Sequence, residues 1–265
     1  MINIFTLAFN CVDDLRDQWK ILQGIKVPFR WSIVEGYARP IACTSWCKPL
    51  GDRWHQNGSS TDGTCEFLKI ISSDPRVSVQ LANRPWAGKK EMVNAALEKL
   101  TEAGTLIQMD ADEFWSLDQI LVIDVTLRRF PKIGGLQFFC RLWMTERHVI
   151  FSQGTYGSRP YEWHRAWSYD GKQRFSEHEP PRLQGSDTFI ARDITRTLGL
   201  VFDHRSYVRR EQVELKEDYY GYRGAVAGWQ RLRESNQPVV FLRDYLPWVT
   251  DDAKAFAIIP SNFRL

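Results

Sequence analysis

The feature that most constrains this chain is an alternation, through residues 1–113, of short apolar runs with helical spacing. Ile2 to Ala8 is a compact apolar run that closes on polar Asn10, and Leu15, Trp19 and Leu22 then repeat at three- and four-residue spacing. That pattern predicts a strand followed by an amphipathic helix. Trp31 to Val34 reads as a second strand ending at Glu35-Gly36, Arg76 to Gln80 as a third and Thr105 to Met109 as a fourth. Between the second and third, a helix is expected to open at Ser59-Ser60-Thr61-Asp62, whose side-chain oxygens accept free backbone N–H groups. Phe67, Ile70 and Ile71 then form its buried face. Met92, Val93, Ala96, Leu97 and Leu100 mark a further helix. Strands separated by helices pair in parallel through right-handed crossovers, so the expectation is an α/β fold with helices on both faces of a mostly parallel sheet. Such sheets bind ligands beyond the carboxyl ends of their strands. Those positions hold Asn10, Glu35 and Asp110-Ala111-Asp112-Glu113.

The second half is less regular. Gly135 to Met144 reads as one long strand, Val149 to Phe151 as a short one, and Tyr207 to Glu234 as mostly helical, with no internal repeat or low-complexity linker. The 35 basic and 32 acidic residues are interspersed and leave a net charge of +3. With no basic stripe, nucleic acid is not an expected partner. The five cysteines lack paired C-x-x-C spacing, which favours reduced thiols over disulfides or a zinc site, including at Cys43-x-x-x-Cys47. The N-terminal run lacks a basic leader and a cleavage pattern, and no stretch reaches the roughly 20 apolar residues that cross a bilayer. A cytoplasmic location is expected.

Asp110-x-Asp112 carries the chemistry. Carboxylates two apart on extended chain point to one side, and hard oxygen ligands suit Mg2+ or Mn2+. A solvated acidic turn or helix start is the competing explanation, since Ser116 and Asp118 open the next helix.

Several segments resemble, in order, the GT-A fold glycosyltransferases of the family 2 type. They are Ile4 to Asn10, Val34-Glu35-Gly36, Gly58-Ser59-Ser60-Thr61-Asp62-Gly63-Thr64, the helix from Gly88 to Leu97, and Asp110-Ala111-Asp112-Glu113. Farther on, Arg165, His178-Glu179, His204 and Tyr207 match a subset of that family with an Arg, a His-Glu pair and a His before a Tyr. Residues 37–57, which hold Trp46 and Trp54, depart from the family's compact pattern. The resemblance implies one domain over 1–265: a nucleotide-sugar-binding half at 1–115 and a smaller, mixed acceptor-binding half at 116–265. It also implies an inverting transfer of a sugar from a UDP- or GDP-linked donor to a glycan or other hydroxyl acceptor.

On that expectation Asp112, assisted by Asp110 and by His204, holds the metal, which stabilises charge on the departing diphosphate. Asn10, Glu35, Asp62, Lys90, Asn94, Ala111 and Arg165 are the further candidates for contact with the nucleotide sugar. A hydroxyl nucleophile needs a base within hydrogen-bond reach. Glu179 is the first candidate, with Glu177 and Asp218 as alternatives. Glu177, His178 and Trp115 are candidates for the acceptor side, with Trp163 and Trp167 as further aromatic surfaces for sugar C–H groups. The segment Lys216 to Arg223 can close over the donor, lie on a membrane surface, or serve as an ordinary packing helix. A nucleotidyltransferase would place a Gly-rich basic loop where Asn10 to Asp14 is acidic, and a non-catalytic carbohydrate-binding protein would not need the complete acidic cluster.

Overall fold

The computed structural model describes residues 1–41, 45–151 and 163–258. The first half alternates as expected: β1 (Ile2–Ala8), α1 (Val12–Leu22), β2 (Phe29–Glu35), a hairpin of β3 (His55–Gln56) and β4 (Ser59–Ser60), α2 (Thr64–Ile71), β5 (Val77–Gln80), α3 (Lys89–Leu97) and β6 (Gly104–Gln108). The longer strands pair in parallel in the order β6-β1-β2-β5.

Side chains alternate across this sheet, as the two-residue period of a strand requires. Ile2, Ile4, Trp31 and Ile33 face a core shared with Leu15, Leu22, Leu68, Ile71 and the later helix residues Ile120 and Ile123. Phe5, Val34 and Leu106 face a second core built on Met92, Val93, Ala96 and Leu97 of α3. Helices thus cover both faces, which is why these strands read as continuous apolar runs. Each such aliphatic side chain contributes about 1.5–3 kcal/mol by leaving water.

The remaining elements are β7 (Glu113–Phe114), α4 (Leu117–Arg129), β8 (Gly135–Gln137), β9 (Phe139–Trp143), β10 (His148–Phe151), β11 (His164–Tyr169), β12 (Phe175–His178), β13 (Pro181–Leu183), β14 (Phe189–Ile190), α5 (Arg192–Thr197), β15 (Val201–His204), α6 (Arg210–Tyr220), α7 (Ala225–Glu234), β16 (Val239–Phe241) and β17 (Lys254–Ala257). Three of them extend the parallel unit into a seven-stranded sheet, β14-β8-β11-β6-β1-β2-β5, where β11 runs antiparallel to both neighbours. A second, six-stranded sheet has the order β16-β17-β10-β9-β15-β7. Among the described residues no helix is long and apolar enough to cross a membrane.

Three local expectations are corrected. Gly135 to Met144 is not one strand: the chain leaves the seven-stranded sheet after β8, passes buried Phe138 and enters the six-stranded sheet as β9. No Gly, Pro, Asn or Asp stands between Gln137 and Phe139 to mark that break, so the sequence pattern does not reveal it. The helix expected at Ser59 starts five residues later, because Ser59 and Ser60 are taken by the hairpin. Finally, Ile70 is 69% exposed, and the buried face of α2 runs through Thr64, Cys65, Leu68 and Ile71. Cys11, Cys47, Cys65 and Cys140 are buried, while Cys43 lies outside the described residues.

Candidate active site

A cleft of about 1040 Å³ opens at the carboxyl ends of β1 and β2 and beneath α6. Asn10 ends β1 with a positive φ of 48°. Its side chain is fully engaged: Nδ2 donates to the Trp54 carbonyl at 2.7 Å and Oδ1 accepts from Thr61 N at 2.9 Å. Asp62 faces the same cleft and caps two helices at once, accepting from Thr64 N and Val12 N, each at 3.0 Å.

The Asp110-Ala111-Asp112 segment is the turn that carries the chain from β6 in one sheet to β7 in the other. It is held from below by α1, where buried Gln18 donates to the carbonyls of Asp110, Ala111 and Glu113 at 2.7, 3.1 and 2.9 Å. Pairing of β15 with β7 then sets His204 opposite Glu113. Ser206 Oγ donates to Asp112 Oδ2 at 2.7 Å, and His204 Nε2 lies 2.7 Å from that hydroxyl and 3.4 Å from the carboxylate. Burial pushes the His204 pKa down, but the adjacent Asp112 charge overrides it and raises it to about 10. Burial likewise works against the Asp112 carboxylate, and His204, Lys216 and Ser206 together hold it well below the usual range.

Asp110 has different company. Gln108 Nε2 donates to it at 3.0 Å, and the Arg165 guanidinium stands 3.6 Å away. Among the described residues the two carboxylates of the motif thus have different neighbours, Gln108 and Arg165 for Asp110 and Ser206, His204 and Lys216 for Asp112. Arg165 itself donates through Nε to both oxygens of buried Glu113, at 2.8 and 3.0 Å.

On the opposite wall, Glu179 forms an ion pair with Lys89 from the first turn of α3, and His178 Nδ1 is 3.8 Å from the same carboxylate. Burial lifts the Glu179 pKa, yet Lys89 and His178 more than offset it and leave it below its ordinary value. His178 is pushed down to about 4 by burial and by Lys89. Its Nε2 lies 3.4 Å from Gln108 Nε2, so Gln108 links the Glu179 side of the cleft to Asp110.

The cleft thus gathers Asn10, Asp62, Asp110, Ala111, Asp112, Arg165, His178, Glu179 and His204. Of the other candidates, all but Trp163 lie off its lining. Glu35 is fully buried and accepts from the backbone N–H groups of Ser60 and Ala82 at 2.6 and 3.2 Å, bracing two loops. Lys90 is exposed, and its neighbour Lys89 points inward instead, a phase of one residue around the helix. Asn94 spends both amide atoms on the Phe175 backbone. Glu177 is exposed beside Arg182 at 3.5 Å, and Asp218 accepts from Trp54 Nε1 at 2.7 Å. Trp115 and Trp167 are core residues, the former stacked on Phe202 at 4.6 Å, whereas Trp163 does reach the cleft.

Sequence reasoning missed Lys89, Gln18 and Ser206. The segment Lys216 to Arg223, for which closure over the donor is one of three expectations, supplies Lys216, Tyr219, Tyr220 and Tyr222 to the cleft lining, and Leu215 of α6 joins them. A polar Gln18 one residue before Trp19 on an apolar helix face is the one signal available for the first of them. Residues 45–57 close the mouth against this helix: besides Trp54 on Asp218, Lys48 N donates to the Tyr219 carbonyl at 2.6 Å.

No protein-family model matches the chain, and no curated protein matches it. Solved structures are similar over part of their length. One is a mannosyltransferase from Pyrobaculum calidifontis in complex with GDP-Man and Mn2+, with 16% identity over 53% of this chain and 35% of that one and a TM-score of 0.39. Another is S. aureus TarS, with 12% identity over 63% of this chain and 46% of that one and a TM-score of 0.41. The chain spans less than half the length of either. The residues of the cleft, and not these partial likenesses, carry the functional assignment.

Proposed function

We propose that the cleft binds a nucleoside diphosphate sugar and transfers its sugar, with inversion, to a hydroxyl acceptor. One observation carries this: Asp112 with His204 on one wall, and Glu179 paired with Lys89 on the other, face a single cavity at the carboxyl ends of parallel strands. In a direct displacement the acceptor oxygen forms a bond to the anomeric carbon as the bond to the diphosphate oxygen breaks. The electron pair leaves with the diphosphate, and the hydroxyl proton passes to the Glu179 carboxylate. Of the three carboxylates considered for this role, Glu177 is exposed and Asp218 is held by Trp54, while Glu179 lines the cleft. Lys89 keeps it ionised and fixes its orientation.

The donor set also fits a divalent cation. Among the described residues no three metal-ligating side chains stand together, but Mg2+ and Mn2+ are commonly held by one or two protein groups plus substrate phosphates. Asp112 and His204 would hold the ion, which supplies positive charge against the departing diphosphate. His204 must give up its proton to serve as a ligand.

Calorimetric titration of the wild type and Asp112→Ala with UDP and with GDP, each with and without Mn2+, tests this reading. Metal-dependent binding of one nucleotide that disappears in the variant is the expected result. Binding of neither nucleotide to the wild type would overturn the assignment.

A further inference from the structure

Five lysines and arginines among the described residues line the cleft: Arg53, Lys89, Arg165, Arg209 and Lys216. Four are already committed at hydrogen-bond distance to a carboxylate. Arg53 pairs with Glu214, Lys89 with Glu179 and Arg209 with Asp14, and Arg165 holds Glu113 at 2.8 Å. Lys216 is the exception. Its side chain, 19% exposed, projects from α6 toward the Asp-x-Asp turn, and its nearest carboxylate oxygen, Asp112 Oδ2, is 3.9 Å away. That oxygen already accepts from Ser206 at 2.7 Å. Below the ammonium lies the Tyr207 ring, with its centroid at 5.2 Å, a contact that steadies a cation without using its N–H groups.

A largely buried ammonium with three donors and, among the described residues, no hydrogen bond is costly to maintain unless a guest anion completes it. On the nucleotide-sugar reading, on which this inference rests, the anion that reaches the Asp-x-Asp turn is a diphosphate. We infer that Lys216 is the cation of this chain that grips the terminal phosphate of the nucleoside diphosphate, in the donor and in the product after sugar transfer. Its role is binding and charge neutralisation at the leaving group. A lysine suits this because its compact charge follows the phosphate oxygens as the bond to the sugar breaks. Placement on α6 matters as well, since the same helix presents Tyr219 and Tyr220 to the cleft and is tied to residues 45–57. A phosphate held by Lys216 would therefore also hold the roof of the cleft in place.

The test is titration of the wild type, Lys216→Met and Lys216→Arg with UDP, GDP, UMP and GMP in Mn2+, with thermal melts to confirm folding. Lys216→Met should lose at least tenfold in affinity for the diphosphate that the wild type binds, while affinity for the corresponding monophosphate changes less than twofold. Lys216→Arg, which keeps the charge, should recover most of the loss. If Lys216→Met binds the diphosphate as the wild type does, or loses mono- and diphosphate equally, Lys216 does not grip the terminal phosphate, and the nucleotide-sugar reading stands without it. If the wild type binds no nucleoside diphosphate, the nucleotide-sugar reading itself fails and takes this inference with it.

Discussion

At the scale of single residues, the site is organised by which charges cancel which. Glu179 is opposed by Lys89 and by His178 on one side and by burial on the other, and the balance leaves its pKa lowered. Replacing Lys89 by Met removes the larger opposing charge, so burial then dominates and the Glu179 pKa rises. A base is lost when it is protonated, so the acid limb of a pH–rate profile must move to higher pH in Lys89→Met. Release of nucleoside diphosphate from the donor, followed between pH 4 and 9, reads this without knowledge of the acceptor. Glu179→Gln should lower that release by roughly a hundredfold or more at every pH while leaving nucleotide affinity within about twofold. An unmoved limb in Lys89→Met would mean that the titrating group is not Glu179.

At the scale of elements, β11 shows how one strand carries both structure and pH response. His164 stacks on Phe189 with ring centroids 4.1 Å apart, and its Nε2 is 2.9 Å from Gln137 Nε2. Burial and the neighbouring Arg165 charge push its pKa down to about 4, against a hydrogen bond to the Pro181 backbone. In the unfolded chain the same group titrates at about 6.5. As pH falls below that value the unfolded state takes up a proton that the folded state refuses, so stability is lost between about pH 6.5 and 4. His164→Gln should therefore lose less urea stability than the wild type on going from pH 7 to pH 5, whatever its stability at pH 7. Comparing the variant with the wild type isolates this effect from Asp14, whose pKa burial raises to about 6 and whose contribution runs the opposite way.

The same scale explains how much was legible in the sequence. The parallel unit was, because strands buried on both faces and helices buried on one leave periods of apolar residues that need no partner to be seen. The Asp-x-Asp turn was legible for the same reason, as the polar end of an apolar strand. What was not legible depends on contacts between distant segments. Nothing local says that Asp112 faces Ser206 and Lys216, that Phe138 is a change of sheet, or that of two buried tryptophans Trp163 lines the cleft and Trp115 does not. The exchange of Lys90 for Lys89 is a smaller failure of the same kind. α3 begins at Gly88 and Lys89, where the chain has not completed a turn, so the apolar stripe farther along leaves the direction of its first residues open.

At the scale of the whole molecule, two sheets must be held in register for the cleft to exist, since its lining includes Leu7 and Ala8 of β1 from the seven-stranded sheet and Leu142 of β9 and His204 of β15 from the six-stranded one. The Asp110–Asp112 turn crosses between them, and directly beneath it Arg165 of β11, in the seven-stranded sheet, reaches Glu113 of β7, in the six-stranded one. Both side chains are nearly sealed from water, at 7% and 0% exposed. A pair this buried gains little net free energy over apolar residues of similar size, but breaking it leaves an uncompensated charge in the interior. Burial raises the Glu113 pKa to about 7 even against the Arg165 charge, so Glu113→Gln, which strands the guanidinium, should cost about 3–5 kcal/mol in urea unfolding, and Arg165→Met, after which Glu113 can take up a proton, should cost less. In Arg165→Met/Glu113→Met the two costs should not add: because no charge remains stranded, the double variant should be more stable than Glu113→Gln alone. Additive losses would show that each residue serves its own sheet separately.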